Sequence, residues 1–183
     1  MRQIVYTMSV SLDGYIEGAD GDVSWTFPGE ELHRFFNSLE ADFDTHFYGR
    51  RMWEGMVGFW PTATGHELPY IREYADTWLG MNKVVFSKTL EDTGGHATIV
   101  REVDPDAIRR LKAGPGKNIS IGGPTLAAEF LRHGLIDRVQ LAVHPVVLGG
   151  GKPMFPLGAT GQLRFVSERT FSQGVVFLEY EVR

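Results

Sequence analysis

Cysteine is missing from all 183 residues. Disulfides, thiolate metal centres and cysteine nucleophiles are excluded at once. A chain without disulfides suits a reducing, cytoplasmic setting. No apolar run nears the roughly 18 residues a membrane span requires, and no signal-like apolar stretch follows Met1. Positive charge is scarce as well. Lys and Arg number 18 against 23 Asp and Glu, a net charge of −5, so a sequence-independent grip on nucleic acid is not expected. The six His are scattered without ligand spacing, so no metal centre is expected either. No repeat, low-complexity tract or charge block marks a boundary, and residues 1–183 read as one domain. What is abundant is glycine, at 22 residues, with aromatics at 12%. That mixture suits tight turns and close approach of backbone to a ligand.

The hydrophobic period alternates between strand and helix. Arg2 to Ser9 reads as a strand, and a long Gly/Asp-rich loop follows it. Leu32, Phe35, Phe36 and Leu39 fall at helical spacing from Glu30 onward. Thr45 to Tyr48 is a short strand, with a helix from Arg50 to Met56 opened directly by Gly49. His66 to Gly80 predicts a helix, Asn82 to Ser87 and Ala97 to Arg101 strands, and Asp104-Pro105 the start of another helix. Asn118 to Ile121 is a strand and Pro124 to His133 a helix. Asp137 to Val147 is a strand, and Leu163 to Phe171 with Val175 to Val182 form a terminal antiparallel hairpin. This order predicts an α/β fold with a mostly parallel sheet and an antiparallel C-terminal edge.

Familiar chemical signatures fail on inspection. Gly149-Gly150-Gly151-Lys152 lacks the leading glycine and the Ser/Thr of a phosphate-binding P-loop, and no G-x-G-x-x-G or G-x-S-x-G occurs. Three junctions remain, each where a strand gives way to a helix or turn: Tyr48-Gly49-Arg50-Arg51, Phe86-Ser87-Lys88-Thr89 and Ile121-Gly122-Gly123-Pro124-Thr125. A helix N-terminus offers free N–H groups and the positive end of its dipole to phosphate. Lys88 or Arg50 suits a further phosphate. Any one junction alone reads more readily as an ordinary turn. Together the three junctions point to a phosphate-bearing dinucleotide.

In this order, SLDGYIEG, YGRRMWE, KVVFSKTL, ISIGGPTLAAEFL and DRVQLAVHPVVLGGGKPMF resemble the dihydrofolate reductase superfamily. The resemblance runs nearly end to end. It is strongest to the branch formed by the C-terminal reductase domain of the bifunctional riboflavin deaminase-reductase. It implies a single-domain, three-layer dihydrofolate reductase-like fold around a sheet of about eight strands, and NADPH as cofactor. Carried over position by position, it implies that Gly49 and Arg50 open a helix against the cofactor phosphates. Ser87, Lys88 and Thr89 would hold the adenosine 2′-phosphate. Gly122 and Gly123 would lie beneath the pyrophosphate, with Thr125 and Leu126 in the next helix, and Ile16 and Gly18 in the loop over the nicotinamide. Met52 departs from the family, where Thr is common.

The resemblance also implies an acid where the helix after the first loop begins, which falls on Glu30, with Glu31 beside it and Asp13 upstream. Glu30 and Asp13 are the candidate catalytic acids. First-turn acids also simply favour the helix dipole. The stretch GMVGFWPTAT lacks the acids and arginine that riboflavin reductases carry there. Trp53, Phe59, Trp60 and Trp78 are candidates for an aromatic lining, or equally for core or a dimer interface. The expected activity is hydride transfer from NADPH to a small heterocycle, resembling 5-amino-6-(5-phosphoribosylamino)uracil reductase. Dihydrofolate reduction, or NADP binding without catalysis, are the alternatives. A homodimer through the C-terminal strands is expected, because long apolar edge strands invite pairing.

Overall fold

Residues 1–183 are described by a computed structural model. An eight-stranded sheet runs β5-β4-β3-β6-β1-β7-β10-β9. The six parallel strands are β1 (Ile4–Ser11), β3 (Phe43–Gly49), β4 (Asn82–Phe86), β5 (Thr98–Val100), β6 (Asn118–Gly122) and β7 (Arg138–His144). Tyr6 of β1 lies between Ile121 and Val139, which fixes the register at the centre. The antiparallel edge is β9 (Leu163–Thr170) and β10 (Val176–Val182). Its tight turn closes through Gly174 at φ +79°, where a Cβ would be strained.

Helices cover both faces. On one, α4 (Pro105–Ala113) and α5 (Pro124–Arg132) bring Ile108, Leu126 and Phe130 onto Ile4, Tyr6, Ile119, Ile121 and Val139. On the other lie α1 (Glu30–Leu39), α2 (Arg50–Phe59) and α3 (Pro69–Gly80). Leu32 of α1 packs with Ala142, Phe171 and Phe177, while Trp53 and Trp78 pack with Tyr48 and Val85. Strand residues therefore alternate between two cores, Phe47 into the first and Tyr48 into the second. This is the three-layer dihydrofolate reductase-like architecture expected from the sequence.

Local chemistry sets the helix ends. The Asp104 carboxylate accepts from the N–H groups of Asp106 and Ala107 at 2.9 and 3.1 Å, and Pro105 follows as the first helical residue. The helix expected from His66 begins only at Pro69. The ring holds Leu68 extended at φ −83°, ψ 120°, and residues Trp60–Gly65 form a separate 3₁₀ segment. The first loop is also more ordered than expected. It carries β2 (Tyr15–Glu17), which pairs with β8 (Lys152–Pro153) in a second, two-stranded sheet. Neither strand has an alternating pattern long enough to read, since each depends on a partner more than 130 residues away. No helix is long and apolar enough to cross a membrane.

Candidate functional site

A cleft of about 810 Å³ lies across the carboxyl ends of the parallel strands, the edge where open α/β sheets bind ligands. The strand order gives it two different ends. At β5, β4 and β3 it is lined by Arg101, Lys88, Ser87 and Arg50. At β6 and β1 it is lined by Gly123, Met8 and Ile16, with Met52 and Met56 from α2. From β4 to β1 is three strand spacings, or about 14 Å, the reach of an extended dinucleotide.

Two helix N-termini meet in the middle. Gly49 precedes α2 and Gly123 precedes α5, and neither helix has a side-chain cap. Their first-turn N–H groups remain available to an anion. Gly123 sits at φ +101°, and a Cβ there would lie 3.7 Å from the Gly49 nitrogen. A side chain at 123 would both strain the backbone and fill the space between the two helix ends. Gly122 does not line the cleft. Its Cβ would come within 3.2 Å of the Met52 side chain, so it admits α2 rather than a ligand.

The turn after β4 is built around Arg101. Its guanidinium donates to the Ser87 carbonyl at 3.0 Å and the Leu90 carbonyl at 2.6 Å. The Ser87 hydroxyl in turn accepts from the N–H of Leu90 at 3.0 Å and of Thr89 at 3.3 Å. Lys88 is thus presented from a rigid turn, with no carboxylate within ion-pair distance. Arg50 reaches Thr89 Oγ1 at 3.4 Å and lies 3.7 Å from Glu54. Thr89 itself stands outside the cleft lining. Arg51, which the sequence reading passed over, lines the cleft beside Arg50. These groups fit the phosphates of a dinucleotide.

The candidate acids are placed differently. Glu30 opens α1 but does not line the cleft. Its carboxylate accepts from Arg34 Nε at 2.8 Å, and Arg34 also reaches Glu73 at 3.3 Å. Glu31 accepts from the hydroxyl and N–H of Ser172, and those bonds hold its carboxyl below the usual range. It ties α1 to the hairpin turn. Asp13 is outside the lining as well. It accepts from Ser11 Oγ at 2.7 Å, Leu148 N–H at 3.1 Å and Gly149 N–H at 2.7 Å. The Ser11 hydroxyl foremost, then the two backbone donors, lower its pKa. A carboxylate so occupied is a clasp between the first loop and the 145–154 segment, not a proton donor.

That clasp has neighbours. The Gly14 carbonyl accepts from Met154 N–H at 2.9 Å, Tyr6 OH donates to the Met154 carbonyl at 3.0 Å, and Glu17 faces Lys152 at 3.7 Å. Together they hold Ile16 at the β1 end of the cleft. Gly18 lies further along, in a turn closed by Asp22. The aromatic lining suggested by Trp53 and Trp78 is not there. Both are buried and stacked on each other with centroids 5.9 Å apart, and neither they nor Phe59 and Trp60 line the cleft. The lining at that end is methionine. Met52 and Met56, one turn apart on α2, were legible as a pair only once the helix was known to face the cleft.

Fold and cleft together define a dihydrofolate reductase-like protein. The family model for the RibD C-terminal domain matches residues 2–177, and the chain belongs to that family. Among curated proteins it is 35% identical to Bacillus subtilis (strain 168) YyaP over 181 residues, covering 98% of this chain and 94% of that protein. It is 31% identical to YwjB of the same organism, over 95% of each. The fold is shared with a candidate riboflavin biosynthesis protein from Shewanella sp. PV-4 (TM-score 0.78, 23% identity, 99% of each chain covered). It is shared also with the Thermotoga maritima diaminohydroxyphosphoribosylaminopyrimidine deaminase/5-amino-6-(5-phosphoribosylamino)uracil reductase (TM-score 0.68, 16% identity). All of this chain aligns there, spanning 57% of the bifunctional protein.

Proposed function

We propose that the protein is an NADPH-dependent reductase acting on a small planar heterocycle of the pyrimidine type, the class that the Thermotoga maritima relative's name specifies for that enzyme. The observation that carries this reading is the meeting of Gly49 and Gly123 at two uncapped helix ends, with Lys88 and Arg50 to one side and Ile16 to the other. In it, the N–H groups of α2 and α5 hold the pyrophosphate. Lys88, Arg50 and Ser87 hold the 2′-phosphate, and Thr125 and Leu126 wall the space between. Ile16, fixed by the β2–β8 ladder, shields the nicotinamide from water. When bound, the reduced nicotinamide supplies a hydride, and the accompanying proton comes from solvent. Neither candidate acid is poised to give that proton, because Asp13 is engaged as a clasp and Glu30 as an ion pair, and Glu17, which lines the cleft beside Ile16, faces Lys152. Anaerobic turnover of 5-amino-6-(5-phosphoribosylamino)uracil and related pyrimidines with NADPH, followed at 340 nm, tests the activity. Tight NADPH binding with no oxidation by any acceptor would instead favour a non-catalytic NADP-binding protein.

We also propose that two copies pair through the C-terminal edge. All eight residues of β9 are exposed, Phe165 and Leu163 among them, and Leu157 in the preceding loop is fully exposed. Such an edge invites a second strand. Light scattering should give about twice 20.5 kDa, and Phe165→Asp should return the monomer. A wild-type mass of one chain contradicts the pairing.

A further inference from the structure

The cations of the cleft are not spread evenly. Arg101, Lys88 and Arg50 follow β5, β4 and β3, and Arg51 adjoins Arg50 in the first turn of α2. At the other end the walls are Met8, Met52, Met56 and Val23, with Gly55 leaving open space between the turns of α2. Register puts these groups together. Tyr6 lies opposite Ile121, so Met8, two residues on, lies level with Gly123, and Met52 Cβ is 3.7 Å from the Cβ position of Gly123. Past the end of α2, Trp60 packs with His33 of α1 and Tyr74 of α3, all aromatic. The one cation near this end is Lys152, and Glu17 faces it at 3.7 Å.

A phosphate ester needs charged or N–H donors, since an anion left against apolar walls loses its hydration without return. Thioethers offer polarizable contact to the face or edge of a ring, and flexible side chains that fit flat groups of differing outline. The geometry points to an acceptor that is an uncharged planar ring carrying no phosphate, seated between Met8 on one side and Met52 and Met56 on the other. This rests on the cofactor reading above. It differs from the phosphorylated substrate named for the Thermotoga maritima relative, because the cations lining the cleft follow β3, β4 and β5, save Lys152, which faces Glu17.

The test separates the two readings. NADP⁺ binding is measured first, by calorimetry on the full chain, and its failure would sink the cofactor reading by itself. With NADP⁺ saturating, matched pairs differing only in one phosphate are then titrated: riboflavin against riboflavin 5′-phosphate, and 5-amino-6-(ribosylamino)uracil against its 5′-phosphate. In each pair the unphosphorylated member should bind at least as tightly, by about tenfold where the phosphate must enter apolar surroundings. Met56→Lys should reverse the preference toward the phosphate ester while NADP⁺ affinity, measured separately, stays unchanged. A phosphate form bound tenfold more tightly by the wild type overturns the inference, and so does failure of every ring to bind the NADP⁺ complex.

Discussion

The two ends of one cleft solve opposite problems. The end at β3–β5 is built for charge: Lys88 stands on a turn that Arg101 and Ser87 hold rigid, and two helices aim uncapped N–H groups at its middle. The end at β1 and β6 is built for exclusion of water. Methionine and isoleucine line it, and a loop clasped by Asp13 closes over it. In the proposed reading, the rigid polar end would fix where a dinucleotide lies, while the soft apolar end would accommodate the ring presented to it. Relatives with the same fold can therefore share a cofactor and differ in acceptor.

The sharpest way to break this contrast is at its midpoint. Gly123→Val places a branched side chain at φ +101°, a conformation costing about 1–3 kcal/mol for such a residue, and fills the anion space. NADPH affinity should fall at least about a hundredfold, the equivalent of losing two charge-assisted hydrogen bonds. Thermal unfolding should remain cooperative. Normal NADPH binding by this variant would make the junction a mere turn.

Next comes the polar end alone. Lys88→Ala should weaken NADPH by about 1.5–3 kcal/mol, as expected for a charged hydrogen bond, and leave NADH nearly unaffected. Equal losses for both cofactors would remove Lys88 from the 2′-phosphate.

A smaller effect belongs to the clasp. Asp13 is held below its ordinary pKa, so its contribution is complete above the unfolded carboxylate pKa near 4 and is lost as pH falls through the lower folded value. Loop closure should thus hold at neutral pH and loosen only in acid. Asp13→Asn should mimic that loss at pH 7, raising KM for NADPH several-fold with little change in unfolding temperature. Hydrogen exchange at Leu148 and Gly149 should quicken in the variant. Unchanged exchange there would deny the clasp.

Smallest of all is Glu30→Gln. With its carboxylate facing Arg34 in solvent, kcat/KM should stay within about twofold of wild type, since an exposed ion pair contributes little. A large drop with a shifted pH profile would restore Glu30 to catalysis.

What the sequence disclosed follows from range. Central strands and helices announce themselves by local period, and the glycine junctions by their place between a strand and a helix, so the sheet and the polar end were legible. Gly122 was read as a ligand contact because the pair Gly122-Gly123 looks uniform in sequence. Only the approach of Met52 to one and of Gly49 to the other separates their roles. Asp13 looked like an acid because its partners, Leu148 and Gly149, lie 135 and 136 residues away. The methionine end was invisible for a similar reason. Met8, Met52 and Met56 are ordinary apolar residues until the fold brings β1 and α2 to one cleft.

The central claim is the direction of the cofactor along the cleft, and a crystal structure with NADPH tests it most directly. The account predicts the pyrophosphate between the N–H groups of α2 and α5, the 2′-phosphate beside Lys88, and the nicotinamide against Ile16. A nicotinamide at the β4–β5 end, or phosphates held away from Gly49 and Gly123, would contradict it.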